Sequence, residues 1–425
     1  MSEIIDKIKS AATNKSLVNG AVFSIYSFIN RGFSFVLLMI LANFITPAEY
    51  GYLSLWGTVV MVIGYFISMS SDGYLEVSYF RDGESGITNT FSSVFFTTLI
   101  TGALFALALL LKGDAIAKAL DLPVNSLYIA LIISVFTVYS NLNLNLFRIQ
   151  EKVGKYGLFS CSNALLNFIL SILLIKYLQQ GWMGRVNAQL LCYGLFGLIG
   201  IILFVRGKNL RLPNRSFWKK MLIWGIPLIP HLATNFIRQG CDRYIINSFH
   251  SIEDVGLFSF ALNLATIISM IGMGFNQSNS VDIYKVLGNK DMDNTTKQHH
   301  LRKQRKAIGA VYAIVTVAVV VVCFFGVPLL LPKYDESRMY IPLLSLYALF
   351  LCLYYLYTNY LFYYEKTKNI MYITLGSSLL HLELSFLLTR YSLFFTCGAY
   401  VLTQFLVFIL IRNLAIKELK IHIYE

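Results

Sequence analysis

Charged residues are scarce in this sequence. Asp, Glu, Lys and Arg together make up 13% of its 425 residues, whereas hydrophobic residues make up 56%. The mean hydropathy of +0.63 is above that of soluble globular domains. Segments in which apolar and polar residues alternate are missing as well, which excludes a membrane-spanning β-barrel. An all-α integral membrane protein is therefore expected.

Sequence motifs of catalysis are also lacking. There is no G-x-S-x-G, no P-loop and no H-E-x-x-H, so neither serine hydrolysis nor ATP hydrolysis nor zinc proteolysis is expected. The six cysteines lie in apolar segments without a C-x-x-C pair, and we interpret them as small core residues. His299 and His300 have no carboxylate at ligand spacing, so no metal site is expected. We therefore predict that the protein is not an enzyme and needs no cofactor.

Long hydrophobic runs dominate what is present. A membrane-spanning helix needs about 20 apolar residues. Twelve such segments are predicted, at 17–42, 51–71, 88–111, 126–146, 157–177, 183–205, 221–247, 256–278, 307–331, 339–361, 369–389 and 393–412. They form two six-helix bundles, 17–205 and 221–412, joined by a basic cytoplasmic linker at 206–220. Residues 1–16 are predicted to be an amphipathic stretch on the cytoplasmic face, and 413–425 a cytoplasmic tail.

The positive charge follows the predicted topology. With both termini in the cytoplasm, 25 of the 35 Lys and Arg residues fall in cytoplasmic segments and 5 fall in outer loops. This bias obeys the positive-inside rule and indicates the orientation. The net charge of +13 therefore needs no nucleic-acid partner to explain it.

One predicted span carries charges inside the membrane. His231, Asn235, Arg238 and Asp242 recur at spacings of 4, 3 and 4, which places them on one face of a continuous helix. An arginine at the centre of a membrane helix costs about 2.5–3.5 kcal/mol and usually marks a site. Asp242 lies four residues after Arg238 and is expected to pair with it, which lowers this cost.

Two spans of the first bundle carry polar stripes. Arg31 lies in the first span, with no acid within one helical turn. The predicted cavity also includes neutral polar residues from the first and fifth spans, namely Ser27, Asn30, Asn163 and Asn167. Amides and hydroxyls at this density suit a sugar. Hydrogen bonding between helices is an equally good account of them.

Few acidic or histidine side chains are candidates for ion coupling. Asp72 and Glu76 lie near the inner interface, although a solvated helix end accounts for them as well. His381 and Glu383 lie in the eleventh span, two residues apart and so on different faces. Glu383 is predicted to be a buried acid that pairs with a neighbouring helix or takes up a proton. Asp242 completes the set.

The sequence also repeats itself at an offset of 205 residues. Residues 44–51 match 249–256, and the same offset pairs Asn30 with Asn235. Two like halves are a common plan among transporters. Because six spans return a chain to the same side, the halves are predicted to be related by a pseudo-twofold axis along the membrane normal.

The same segments carry a resemblance to a known family. Asp-Arg-Tyr-Ile-Ile at 242–246 and Val-Gly-Leu-Phe-Ser at 255–259, with Ala-Glu-Tyr-Gly-Tyr at 48–52, resemble the polysaccharide transporter (Wzx-type flippase) family. That family belongs to the multidrug/oligosaccharidyl-lipid/polysaccharide (MOP) exporter superfamily. The resemblance implies a MATE/MOP-like fold. It also implies that the chain flips a polyprenyl-diphosphate-linked oligosaccharide to the outer leaflet of the bacterial plasma membrane, for O-antigen, capsule or exopolysaccharide assembly.

The cargo and the partners follow from this resemblance. The cargo's diphosphate would meet Arg31 and Arg238, and its tail would stay among membrane lipids. Other polysaccharide assembly proteins would be partners.

Two alternative functions stay open. An ion-coupled MATE-like exporter of small molecules would need acids rather than arginines in its cavity. A membrane glycan polymerase or ligase would need a large outer loop, whereas the longest polar loop, 282–306, is predicted to lie inside.

Overall fold

The computed structural model describes residues 15–206 and 211–424, and within them the protein is almost entirely helical, without a strand. The helices are α1 (Lys15–Ala42), α2 (Pro47–Ser68), α3 (Ser71–Leu120), α4 (Val124–Ile149), α5 (Val153–Ile172), α6 (Gly181–Arg206), α7 (Arg215–Gly225), α8 (Leu228–Gln239), α9 (Cys241–Phe249), α10 (Ile252–Gly288), α11 (Asn294–Leu330), α12 (Ile341–Tyr363), α13 (Thr367–Leu388) and α14 (Leu393–Leu419). A π turn, Leu173–Tyr177, extends α5, and a 3-10 helix, Pro332–Met339, precedes α12. The amphipathic stretch predicted at 1–16 lies almost wholly outside the described residues.

Ten helical segments of the described chain are long and apolar enough to cross a membrane. One of them, Pro47–Leu120, contains both α2 and α3, so these ten segments hold eleven of the twelve predicted spans. The prediction of an all-α membrane protein is confirmed.

The seventh predicted span, 221–247, is not one helix. It is divided among α7, α8 and α9. Pro227 follows α7, where its missing N–H and fixed φ interrupt the helical hydrogen bonds. Gly240 separates α8 from α9. The prediction that Arg238 and Asp242 lie on one face of a continuous helix is therefore wrong.

The chain forms two compact units. Unit 1 comprises Met1–Ile45 and Tyr52–Phe236, and unit 2 comprises Thr46–Gly51 and Ile237–Glu425. The division after Phe236 lies beyond the predicted linker at 206–220, because α7 begins within that linker and packs into unit 1. There the indole N–H of Trp218 donates to Thr97 Oγ1 at 2.7 Å. The first unit therefore continues past the linker that the sequence suggested.

The start of α2 and the start of α10 are built alike. Both helices begin after a capping box, in which a hydroxyl and a carboxylate exchange backbone hydrogen bonds across the first turn. Thr46 N–H donates to Glu49 Oε2 at 2.8 Å, and Glu49 N–H donates to Thr46 Oγ1 at 3.2 Å. Ser251 and Asp254 exchange the same bonds, both at 3.1 Å. These pairs correspond at the 205-residue offset, so the repeat extends to hydrogen-bond geometry here. Superposition of the two whole halves stays a prediction.

Candidate functional site

A carboxylate and an imidazole are buried together in unit 2. Asp242 on α9 is 1% exposed and His381 on α13 is 2% exposed. His381 Nε2 lies 2.9 Å from Asp242 Oδ2, and Ser385 Oγ donates to Asp242 Oδ1. Both residues are ion-coupling candidates in the sequence analysis, but the partner expected there for Asp242 is Arg238.

The other ring nitrogen of His381 faces a hydroxyl. Thr403 Oγ1 lies 3.4 Å from His381 Nδ1 and donates its hydrogen to the Ala399 carbonyl at 2.7 Å. Asp242 contacts the His381 imidazole through one carboxylate oxygen and the Ser385 hydroxyl through the other, so both oxygens have hydrogen-bond partners inside unit 2.

Arg238 also has a partner that the sequence did not suggest. Its Nη2 donates to the side-chain oxygen of Gln404 on α14, and Gln404 is 1% exposed. Because helix α8 ends at Gln239, the one-turn spacing between Arg238 and Asp242 no longer brings them face to face. An amide oxygen has no net charge, so this contact orients the guanidinium without neutralising it.

Unit 1 contains an equivalent arrangement around Arg185, on α6. Arg185 is 9% exposed, and its Nη1 donates to Asn167 Oδ1 and, at 2.7 Å, to Ser171 Oγ. Both acceptors lie on α5. No ion pair joins Arg185 to an acid of the described residues. The structure therefore buries a guanidinium among neutral oxygens.

Two buried amide oxygens of unit 1 have no hydrogen-bond partner in the described part of the chain. They are the Oδ1 atoms of Asn30 on α1 and of Asn163 on α5, and both atoms are buried. Helices α1 and α5 pack side by side, as the rings of Phe33 and Phe168 show by their 5.9 Å separation. Buried polar atoms are normally satisfied, so these oxygens suit a donor group such as a hydroxyl.

The remaining predicted site residues fall outside these clusters. Arg31 is exposed, Ser27 is partly exposed, and the side chain of Asn235 lies outside the described residues. Asp72 is exposed, and Glu76 forms an ion pair with Arg148 in which both side chains are more than a third exposed.

Glu383 requires a correction. It is exposed on α13, whereas the sequence predicted a buried acid. The expected separation from His381 is confirmed, because His381 occupies the buried face of the same helix. The spacing of two residues places Glu383 and His381 on different faces of the helix, but only tertiary packing decides which of these faces is turned toward the core.

Arg185 and Gln404 are the residues that sequence reasoning missed. From the sequence alone, Arg185 lies at the start of the predicted span 183–205, beside an outer loop, where an arginine indicates no site. The polar stripe of α5, which includes Asn167 and Ser171, was the available signal. No cluster of three or more potential metal ligands occurs in the described residues.

Comparisons with known proteins agree over most of the chain. Residues 16–280 match the family described as polysaccharide biosynthesis protein, and residues 227–387 match MatE. Protein 1 of the Lsg locus of Haemophilus influenzae is 22% identical over 358 residues, which cover 82% of this chain and 84% of that protein.

Solved structures of similar shape are transporters. An inward-facing multidrug resistance MATE family transporter of the MOP superfamily has a TM-score of 0.73 and 11% identity, with coverage of 95% of this chain and 98% of that one. An outward-facing MATE transporter has a TM-score of 0.61 and 13% identity, with 97% of each chain covered. Identities this low support the fold alone.

Proposed function

The chain belongs to the polysaccharide biosynthesis protein family of the MOP exporter superfamily, and from this premise we propose that it is a flippase for a polyprenyl-diphosphate-linked oligosaccharide. It is a multi-pass membrane transporter. The proposed reaction moves the cargo from the cytoplasmic to the outer leaflet of the bacterial plasma membrane by alternating access. Both termini would lie in the cytoplasm.

The observation that carries this proposal is how the membrane arginines are held. Arg185 and Arg238 both donate to neutral amide oxygens, rather than to carboxylates. A guanidinium held in this way keeps its full charge in a region where an uncompensated charge is costly. Diphosphate is a fitting ligand, because a guanidinium binds two phosphate oxygens through parallel hydrogen bonds. Arg31, exposed on α1, is a further candidate for binding a phosphate.

The neutral polar atoms of unit 1 fit the rest of the cargo. Sugars present many hydroxyl donors, and the buried Oδ1 atoms of Asn30 and Asn163 are acceptors without a partner among the described residues. The polyprenyl tail would stay in the bilayer, where no protein contact is needed.

A second candidate is an ion-coupled exporter of small molecules, and one observation favours it. The Asp242–His381 pair is a buried proton-binding group in a segment that matches MatE. The carboxylate of Asp242 would supply a buried negative charge that a cationic drug could neutralise. Under the flippase proposal the same pair would instead couple a proton gradient to transport.

Gene deletion in the source bacterium separates the two candidates. The flippase proposal expects loss of one surface glycan and accumulation of its lipid-linked unit on the cytoplasmic side. The wild-type gene should restore the glycan on complementation. A strain with normal surface glycans and increased sensitivity to cationic drugs would instead identify an exporter.

A further inference from the structure

Unit 1 contains a cavity that belongs to neither polar cluster. It has a volume of about 550 Å³ and lies among α3, α4, α5 and α6. Its lining includes Lys152 and Lys155 at the start of α5, together with the rings of Phe147, Phe159 and Phe196. From these observations we propose that the cavity binds an anionic phospholipid of the cytoplasmic leaflet. The proposal rests on the orientation proposed above, but it does not depend on the cargo.

The aromatic walls of the cavity are fixed in place. Phe159 contacts Phe147 with ring centroids 6.1 Å apart and Phe196 at 5.0 Å, both edge to face. Phe159 and Phe196 are 8% and 7% exposed. These packed rings suit an acyl chain, because burial of apolar surface against them is favourable.

The polar end of the cavity is basic. Lys152 and Lys155 are exposed, and neither forms an ion pair within the described residues. Glu84 is the one acid in the lining, so two positive charges face one negative charge. The side chain of Lys152 makes no capping hydrogen bond at the start of α5. Backbone N–H groups of this first turn therefore add to the attraction for a phosphate.

The cavity also reaches the outer surface of the helices. Leu158 and Leu203 line it and are 74% and 47% exposed. On a membrane protein, exposed leucines in spanning helices contact lipid tails. A phospholipid is the occupant that meets all three features, because its acyl chains suit the aromatic walls and the exposed leucines, and its anionic phosphate suits the two lysines. Basic pockets between membrane helices on the cytoplasmic side bind anionic headgroups in this way.

Native mass spectrometry of the purified full-length protein tests this site. The probes are dioleoyl phosphatidylglycerol and, as the neutral comparison, dioleoyl phosphatidylcholine. We expect one tightly retained phosphatidylglycerol. The double change Lys152→Gln and Lys155→Gln should weaken its binding at least tenfold. The matched control, Lys303→Gln with Lys306→Gln, removes two exposed lysines elsewhere and should leave that lipid bound.

Filling the cavity separates a built site from simple surface attraction. Ser162→Phe keeps both lysines but occupies space, and should also weaken phosphatidylglycerol binding about tenfold. Leu203→Trp narrows the same cavity from a more exposed position, and replaces Ser162→Phe if that variant does not fold.

Four results would overturn the proposal. Three of them are equal retention of the two lipids, an equal loss in the Lys303 and Lys306 control, and full binding in both cavity-filling variants. Displacement of phosphatidylglycerol by a tenfold lower concentration of a polyprenyl diphosphate would also reject the phospholipid assignment, and would make the cavity a cargo entrance. None of these measurements uses transport, so failure here leaves the flippase proposal standing.

Discussion

Gly51 and Gly256, the two glycines that correspond at the 205-residue offset, lie against each other in unit 2. A Cβ atom built on Gly256 would lie 1.8 Å from the Pro47 carbonyl oxygen and 3.1 Å from the Gly51 nitrogen. A Cβ atom on Gly51 would lie 2.1 Å from the Ile252 carbonyl oxygen. Each repeat glycine thus accommodates the first turn of the other repeat's helix. Close approach of this kind is a common reason for small residues at helix contacts in membranes.

Alanine at either glycine should destabilise unit 2. The added methyl meets backbone atoms, which cannot rotate away, so we expect a loss of about 1–3 kcal/mol for Gly51→Ala or Gly256→Ala. Thermal unfolding in detergent measures the effect. Gly57→Ala on α2 and Gly274→Ala on α10 are matched controls, because a Cβ at either position meets nothing within 4 Å. An equal fall in melting temperature for controls and test variants would refute the packing argument.

The buried Asp242–His381 pair predicts an asymmetry between single and double changes. Asp242→Asn removes the carboxylate that contacts His381 and Ser385, and loss of a buried hydrogen bond to a charged group costs about 1.5–3 kcal/mol. The double change Asp242→Asn with His381→Gln removes both partners and should recover most of the folded protein, without recovering transport. Yield and melting temperature report folding, and substrate translocation reports function.

The exposed Glu76–Arg148 pair supplies the control for that experiment. Glu76→Gln should change stability by no more than about 1 kcal/mol, because solvent screens exposed pairs. If Asp242→Asn were as mild as Glu76→Gln, the buried contact between Asp242 and His381 would not contribute to folding.

The proposed orientation is open to chemical labelling. In a background with all six cysteines changed to Ala, Lys333→Cys should react with an impermeant thiol reagent added to intact cells, and Lys303→Cys should not. Both positions are exposed, so accessibility differs only by side of the membrane. Lys303→Cys should become reactive after the cells are opened. Labelling of Lys303→Cys in intact cells would reverse the topology.

Hydropathy was enough to predict most of the fold. Spans are set by the length of apolar runs, and a long run needs no knowledge of its neighbours to become a membrane helix. The exception is the run at 221–247, where hydropathy indicated one helix. There the local chemistry of Pro227 and Gly240 overrides the apolar pattern, and three short helices result.

The partners of the site residues could not be predicted in the same way. Asp242 and His381 were both selected from the sequence, yet nothing in their 139-residue separation indicates that they meet. Arg238 was matched with Asp242 because they are four residues apart, and the helix break removes that relationship. Periodicity gives a residue's angular position on its own helix, whereas the neighbour at that angle depends on tertiary packing.

The arginines held by amides are the central feature of the proposed mechanism. Arg185→Met and Arg238→Met remove the charge but retain much of the side-chain length, and neither leaves a carboxylate without its partner. We expect both to fold normally and to lose most translocation, by a factor of ten or more for a charge-assisted contact. Arg185→Lys should retain part of the activity, because the charge survives and only the paired geometry is lost.

The most direct test is translocation in proteoliposomes. The purified protein is reconstituted with a polyprenyl-diphosphate-linked oligosaccharide, and an impermeant glycosidase added outside measures how much substrate crosses. We expect rapid crossing with the wild-type protein, partial crossing with Arg185→Lys, and near-background crossing with Arg185→Met and Arg238→Met at equal protein content. Wild-type crossing at the rate of empty liposomes, or full crossing by both methionine variants, would contradict the proposed role of the arginines.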